Sequence, residues 1–288
     1  MIAFQQDILS SFGIDASVIR DSFERIQSVR ALLQEDLESN DEFVKETALK
    51  RLQDRVAEIV NGLTQSALSS KDQKYFEGYL IGELTEEVWE KIDDKSKAFL
   101  ITAKSSYESM IKLKDSETFD YSGVCLLVTK ALEVETTKRF FLSYKDYLTR
   151  EYSSISCWPE ALRKRKQGKI TENVIDDNEF TLGTVVPSIG LKREYDTEGN
   201  IIAYTEANVK TKNEFIDYAK KDLFKFSDCR RVEMEIDKDI HFIEKVRLDY
   251  RNPAAHRDRM TITSAKECLE YVIDVQHMLK NMLSTMKI

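Results

Sequence analysis

Six consecutive residues, Arg251-Asn252-Pro253-Ala254-Ala255-His256, bring together groups that can act on a phosphate. Asn is a strong N-cap and proline is favoured at the first helical position. A helix is therefore expected to start at Pro253, capped by Asn252, with His256 in its first turn and Arg251 just outside. On one continuous helix, residues five apart diverge by about 140°. A break at Asn252-Pro253 would let Arg251 and His256 face a single point, and that point is a helix N-terminus, where free N–H groups and the dipole favour an anion. The guanidinium can hold a phosphate bidentately and offset charge that develops in the transition state. The imidazole titrates near neutrality and can move the proton of a 2′-hydroxyl or of the leaving oxygen. DNA lacks that internal nucleophile, so the chemistry selects RNA. The same six residues also describe an ordinary helix start with a partly buried histidine, and spacing alone does not separate the two readings.

Nothing else in the chain has comparable chemistry. Gly183 and Gly190 do not form a phosphate loop, and no local signature marks a serine or cysteine triad. The other two histidines, His241 and His277, lie in helical patterns. Cys125, Cys157, Cys229 and Cys268 are scattered, which suits reduced thiols in a cytoplasmic protein. No group of His, Cys and acidic residues has zinc-site spacing, so neither a metal nor a cofactor is expected.

The elements that must position the motif are helices. In 288 residues there are 9 glycines and 3 prolines, far below the usual ~7% and ~5%. Charged residues make up 33%. A chain so poor in turn residues is expected to be all-α, which excludes a β-sandwich and disfavours a glycine-loop nucleotide fold. The longest uncharged stretches, Ile59–Ser70 and Phe180–Leu191, fall short of the ~20 residues of a membrane span. The N-terminus has no basic region before Asp7, so it is not expected to be a signal peptide.

Two amphipathic helices are expected first, with Ile19, Phe23, Ile26, Val29 and Leu33 on one seam and Leu49, Leu52, Val56, Ile59 and Leu63 on the other. Ser39 and Glu42 have capping-box spacing between them. This N-terminal hairpin region, residues 1–82, can pack on itself or serve as a coiled-coil arm for a regulatory protein partner. Beyond Gly82, a long helix is expected over Thr85–Lys112 and another near Tyr121–Thr149, its first half apolar enough for the centre of the core. A region at about 150–212 differs in kind. It holds Pro159, Pro187, the basic run Arg163-Lys164-Arg165-Lys166, and Glu198-Gly199-Asn200 as a hairpin turn. It is expected to be a small irregular or β-hairpin insertion, with strands confined to about 170–212. The basic run is either a solvated loop or an RNA-binding phosphate patch. Ile236, Ile240, Ile243 and Tyr250 share a face of a further helix, and Ala265, Leu269, Val272, Val275 (or Ile273), Leu279 and Leu283 share a face of the last.

Net charge is −8, concentrated in residues 1–120, which argues against broad non-specific nucleic-acid binding but leaves room for a local site later in the chain.

The Arg251-Asn252-x-x-x-His256 pattern resembles the R-x4–6-H signature of the HEPN (higher eukaryotes and prokaryotes nucleotide-binding) superfamily. The helix from Cys125 to Glu135, continuing to Arg139, is similar to the early HEPN helix with its E-x-x-x-K/R pattern, here Glu135 and Arg139. Phe180-Thr181-Leu182-Gly183 and the Trp89–Tyr107 helix also resemble parts of prokaryotic members. The likeness covers about residues 85–288, and a HEPN-like domain over 83–288 is expected. It implies a helical bundle that dimerises so that two motifs face each other. Many members are metal-independent endoribonucleases of toxin–antitoxin, anti-phage and CRISPR-linked defence systems; some relatives are non-catalytic binding modules. By position, Arg251 would grip phosphate, Asn252 would position substrate or backbone, and His256 would be the acid or base. Glu135 and Arg139 would support the site. Two functions follow: an RNA-cleaving homodimer, or a helical adaptor that works through protein contacts.

Overall fold

A computed structural model describes residues 16–68, 70–166, 169–198, 200–255 and 259–287. Helix accounts for 72% and strand for 8%, as the scarcity of glycine and proline requires. The chain forms two compact units, Met1–Glu135 with Lys245–Ser284, and Thr136–Glu244 with Thr285–Ile288.

The first unit begins with a helical hairpin, Ala16–Leu32 and Glu42–Ala67. The cap of the second helix is Asp41 rather than Ser39. The Asp41 carboxylate accepts from Val44 N–H, whereas the Ser39 hydroxyl accepts from Asp41 N–H two residues on. Ser39 therefore shapes the turn and Asp41 starts the helix. The helices Ser70–Leu84, Glu86–Lys91 and Asp94–Met110 follow. The expected long helix over Thr85–Lys112 is thus divided. Ile92 is extended, and the Asp93 carboxylate caps the next helix through Lys95 N–H. Glycine did not make the break; an acidic cap did. In Ser122–Thr136, Val124 to Val128, Ala131 and Leu132 are all buried, placing that helix inside the core.

The same unit takes up the chain again at Lys245. A wide π-helical turn, Val246–Arg251, runs straight into Asn252–Ala255. Asn252 itself is helical (φ −65°, ψ −49°), so the expected break and N-cap at Asn252-Pro253 do not occur. The physical reason lies in Pro253, which offers no N–H and whose ring crowds the preceding turn of an α-helix. A π turn re-registers the ladder by one residue, with Asn252 N–H bonding to the Arg247 carbonyl, and the helix passes the proline unbroken. Ile262–Leu269 continues into a second wide turn, Glu270–Asp274, before Met278–Thr285. The wider turn rotates the apolar face, burying Ile273 and leaving Val275 64% exposed.

The second unit opens with a π turn, Thr137–Leu142, and the helix Ser143–Glu151. Two antiparallel hairpins follow, β1 (Arg163–Lys166) with β2 (Lys169–Val174), and β3 (Leu191–Tyr195) with β4 (Ile201–Glu206). β1 lies ahead of the expected 170–212 window, so the basic run is itself a strand. The β3–β4 turn is held by Asp196, whose carboxylate accepts from the N–H groups of Glu198 and Asn200. Gly190 has φ +79°, and a Cβ there would meet Lys212 N at 2.6 Å and Asn208 O at 2.7 Å, so only glycine fits. Helices Val209–Tyr218 and Cys229–Lys245, with a π turn at Ala219–Leu223, complete the unit. Its core is aromatic. Phe141 stacks on Phe180, Phe140 on Phe215, and Tyr144 lies against Phe215 and Tyr218.

Candidate functional site

Arg251 lies at the end of the Val246–Arg251 turn and is 2% exposed. Its Nη1 donates to Glu46 Oε2 at 2.8 Å and to Asn252 Oδ1 at 2.9 Å. Its Nε and Nη2 have no hydrogen-bond partner among the described residues. One helical turn earlier, Arg247 is also buried and pairs with the other oxygen of Glu46 at 3.5 Å. One carboxylate therefore bridges two guanidinium groups.

Glu46 belongs to a polar face of the Glu42–Ala67 helix that also carries Lys50, Gln53 and Asp54, the i, i+4, i+7, i+8 set of one helix side. Lys50 and Gln53 are buried. Lys130 and Glu133, from the Ser122–Thr136 helix, complete the cluster. Lys130 donates to both Asp54 and Glu133, and Lys50 lies 4.0 Å from Glu133. Burial pulls against every charge here. It lowers the Lys50 ammonium below its usual range, Glu133 notwithstanding. It would lower Lys130 too, but Glu133 and Asp54 outweigh it and the ammonium is held above its ordinary value. It would raise Glu133, but Lys130, Lys50 and Arg251 bring that carboxyl down to about 2.

The remaining residues singled out in the sequence fall elsewhere. His256 lies outside the described residues, as do its neighbours 257 and 258. Because Asn252 and Pro253 continue a helix, Arg251 is not set against a helix N-terminus, and the anion seat expected there is absent. The buried Glu135 carboxylate accepts from Asp93 N–H at 2.8 Å, bracing the start of the Asp94–Met110 helix. Arg139 is a buried residue of the second unit, and its carbonyl accepts from the Tyr218 hydroxyl. On β1, Lys164 pairs with Glu179 at 3.0 Å and Asp176 at 3.2 Å, and Arg163 lies 3.9 Å from Glu160. Arg165 and Lys166 share the strand, which pairs Arg165 with Ile170 and Lys166 with Lys169. Among the described residues no three His, Cys, Asp or Glu side chains are grouped to hold a metal ion. No described helix is long and apolar enough to cross a membrane. His241 hydrogen-bonds through Nδ1 with the Asp237 carbonyl and sits edge-on to Tyr204.

Sequence reasoning missed Glu46, Lys50, Gln53, Lys130, Glu133 and Arg247. For Lys130 and Glu133 a signal existed, because two charges inside an otherwise apolar, core-centred helix need buried partners. For Glu46, Lys50 and Gln53 there was none, since a polar stripe beside an apolar seam has the pattern of a solvated face. No protein-family model, curated protein or solved structure matches the chain.

Proposed function

We propose that the chain is a metal-independent endoribonuclease of HEPN type, with Arg251 as the phosphate-holding group, His256 as the proton carrier and Asn252 as the residue that orients the guanidinium. The observation that carries this reading is Arg251 itself. It is a buried, always-charged fork that is fixed by Asn252 and has two donors left over among the described residues. An unmade hydrogen bond on a buried charged group is costly, and a ligand with several acceptor oxygens removes that cost. The R-x4–6-H resemblance supplies the ligand class and the second group.

In this mechanism the 2′-hydroxyl of one nucleotide attacks its own 3′-phosphate. His256 takes the hydroxyl proton, the new P–O bond forms as the bond to the 5′-oxygen breaks, and that oxygen leaves with a proton. Arg251 neutralises charge that builds on the non-bridging oxygens. The products are a 2′,3′-cyclic phosphate and a 5′-hydroxyl. A two-fold homodimer that presents two His256 side chains to one cleft would allow proton transfer on both sides of the phosphorus. In a defence or toxin setting, such cutting would act on cellular or invading RNA.

The deciding experiment is incubation of the protein with mixed cellular RNA in EDTA, with end-group analysis and His256→Ala alongside. Metal-independent cutting that leaves cyclic phosphate and is lost in the variant supports the reading. Cutting that survives in His256→Ala, or that needs Mg²⁺, overturns it. A second reading, a non-catalytic adaptor, is favoured by one observation: Glu46 already occupies Arg251 and Arg247. It predicts no cleavage under any condition.

A further inference from the structure

We propose that Glu46 is a built-in competitor for the phosphate seat, so that the chain holds Arg247 and Arg251 closed with its own carboxylate until an RNA phosphodiester displaces it. The identity of the ligand rests on the ribonuclease reading; the competition itself rests on the geometry.

The two oxygens of Glu46 are divided between two guanidinium groups, Oε2 to Arg251 at 2.8 Å and Oε1 to Arg247 at 3.5 Å. This is the arrangement in which two arginines clamp one tetrahedral or planar oxyanion. The carboxylate fills that clamp incompletely. Arg251 Nε and Nη2 find no acceptor among the described residues. A phosphodiester carries the same single charge as Glu46 on two non-bridging oxygens, set on a tetrahedral centre with two weakly accepting ester oxygens beside them. The Arg251 fork therefore keeps two donors, among the described residues, for an oxyanion that meets it more fully than Glu46 does.

Glu46 is also the member able to leave. Its side chain is 17% exposed, against 2% for Arg251 and 5% for Arg247. It sits in the opening turns of the Glu42–Ala67 helix, where a change of side-chain rotamer carries the carboxylate outward while the helix stays in place. The arginines are embedded, and Arg247 makes further contacts. Displacement thus needs one rotamer change on one residue. While Glu46 stays bound, the competent fraction is small and the apparent affinity for any other anion falls in proportion.

The test uses the full chain and a 2′-O-methyl oligoribonucleotide, which keeps every phosphate but cannot be cut. Glu46→Gln preserves shape and removes the charge. It should bind the oligonucleotide roughly tenfold or more tightly than wild type by fluorescence anisotropy, and Arg247→Gln in the Glu46→Gln background should cancel the gain. Glu46→Asp, which keeps the charge but shortens its reach by one methylene, should give a smaller gain in the same direction. A folded Glu46→Gln that binds no more tightly than wild type overturns the proposal, as does absence of binding by both proteins. Should Glu46→Gln fail to fold, Glu46→Asp decides, and no gain there overturns it. The two readings fail separately. Tighter binding with no cleavage of ordinary RNA removes the ribonuclease and keeps the competitor. Cleavage by wild type with no gain in Glu46→Gln removes the competitor and keeps the ribonuclease.

Discussion

In the first unit, the space shared by Glu42–Ala67, Ser122–Thr136 and Val246–Arg251 is filled with Lys50, Lys130, Glu133, Arg247 and Arg251. In the second unit, the interior is filled with Phe140, Phe141, Tyr144, Phe180, Phe215 and Tyr218. Burial shifts pKa values in both interiors: it brings Lys50 down, and it pushes the Tyr144 and Tyr218 hydroxyls up. The rings are held by area and shape, a non-directional force that tolerates volume-conserving change. The charges are held only while each has its partner, because a buried ion left alone is expensive. A fold that needed stability alone would gain little from such a cluster. Its presence beside Arg251 is the structural reason to look for function there.

The largest expected difference between the two interiors is in chemistry. His256→Ala should slow RNA cleavage by about 10²–10⁴-fold and Arg251→Ala by about 10²–10³-fold. Phe215→Leu in the aromatic core should leave the cleavage rate unchanged while lowering the melting temperature. Single-turnover rates on a short RNA, measured beside thermal melts, separate the two kinds of loss. Equal activity losses from Phe215→Leu and Arg251→Ala would end the contrast.

Stability should divide the interiors next. Lys130→Met leaves Asp54 and Glu133 without their shared cation and should cost about 3–5 kcal/mol in urea unfolding. Adding Glu133→Gln should recover part of that loss, because the stranded charge is removed with its partner. Phe215→Ala should cost a similar ~3–5 kcal/mol, but no second change in its neighbourhood should rescue it by removing charge.

Acid exposes the ionic interior. The Glu133 carboxyl is held at about 2, below its ordinary 4.5, by Lys130, Lys50 and Arg251. A depressed carboxyl contributes stability that is present above the unfolded value and lost as pH falls through the folded one. Wild type should therefore lose stability between about pH 4.5 and 2, and Glu133→Gln should show a flatter profile over that window, read from urea midpoints at each pH.

Smaller effects sharpen the aromatic side. Tyr218 donates to the Arg139 carbonyl at 2.5 Å, whereas the buried Tyr144 hydroxyl has no hydrogen-bond partner among the described residues. Tyr218→Phe should cost about 1 kcal/mol and Tyr144→Phe should be neutral or stabilising by about 1 kcal/mol. Finally, replacing Arg163, Lys164, Arg165 and Lys166 with Gln should weaken RNA binding and flatten its salt dependence. Because Lys164 is already paired with Glu179 and Asp176, the loss should exceed that of Lys164→Gln alone.

Legibility in the sequence followed the physics of each element. The helices were visible because glycine and proline are rare and apolar spacing is helical. The β3–β4 turn was visible because Glu198-Gly199-Asn200 interrupts that spacing. β1 was not, since Arg-Lys-Arg-Lys shows no alternation of polar and apolar residues for a strand to display. Pro253 misled for a subtler reason. Proline marks a helix start under local rules, but a π turn lets a helix accept it mid-course, and no propensity encodes that turn. Arg251 and Asn252 are adjacent in the sequence, and the structure adds a hydrogen bond between their side chains. Glu46 was out of reach, because its partners lie 201 and 205 positions away and only folding brings them to it.

One wide turn carries a consequence for the chain as an inherited object. Thr137–Leu142 passes into Ser143–Glu151 without a break and holds one residue more than an α-helix would, so the count of residues can change there without ending the helix. Four α residues turn about as far as five in the wider helix, so a one-residue deletion that closes the turn should leave Ser143–Glu151 nearly in phase, with Tyr144, Tyr147 and Leu148 still buried. The same deletion inside an ordinary α segment should spin everything beyond it by about 100°. Length is thus free to vary at the wide turn and fixed along the rest of the helix.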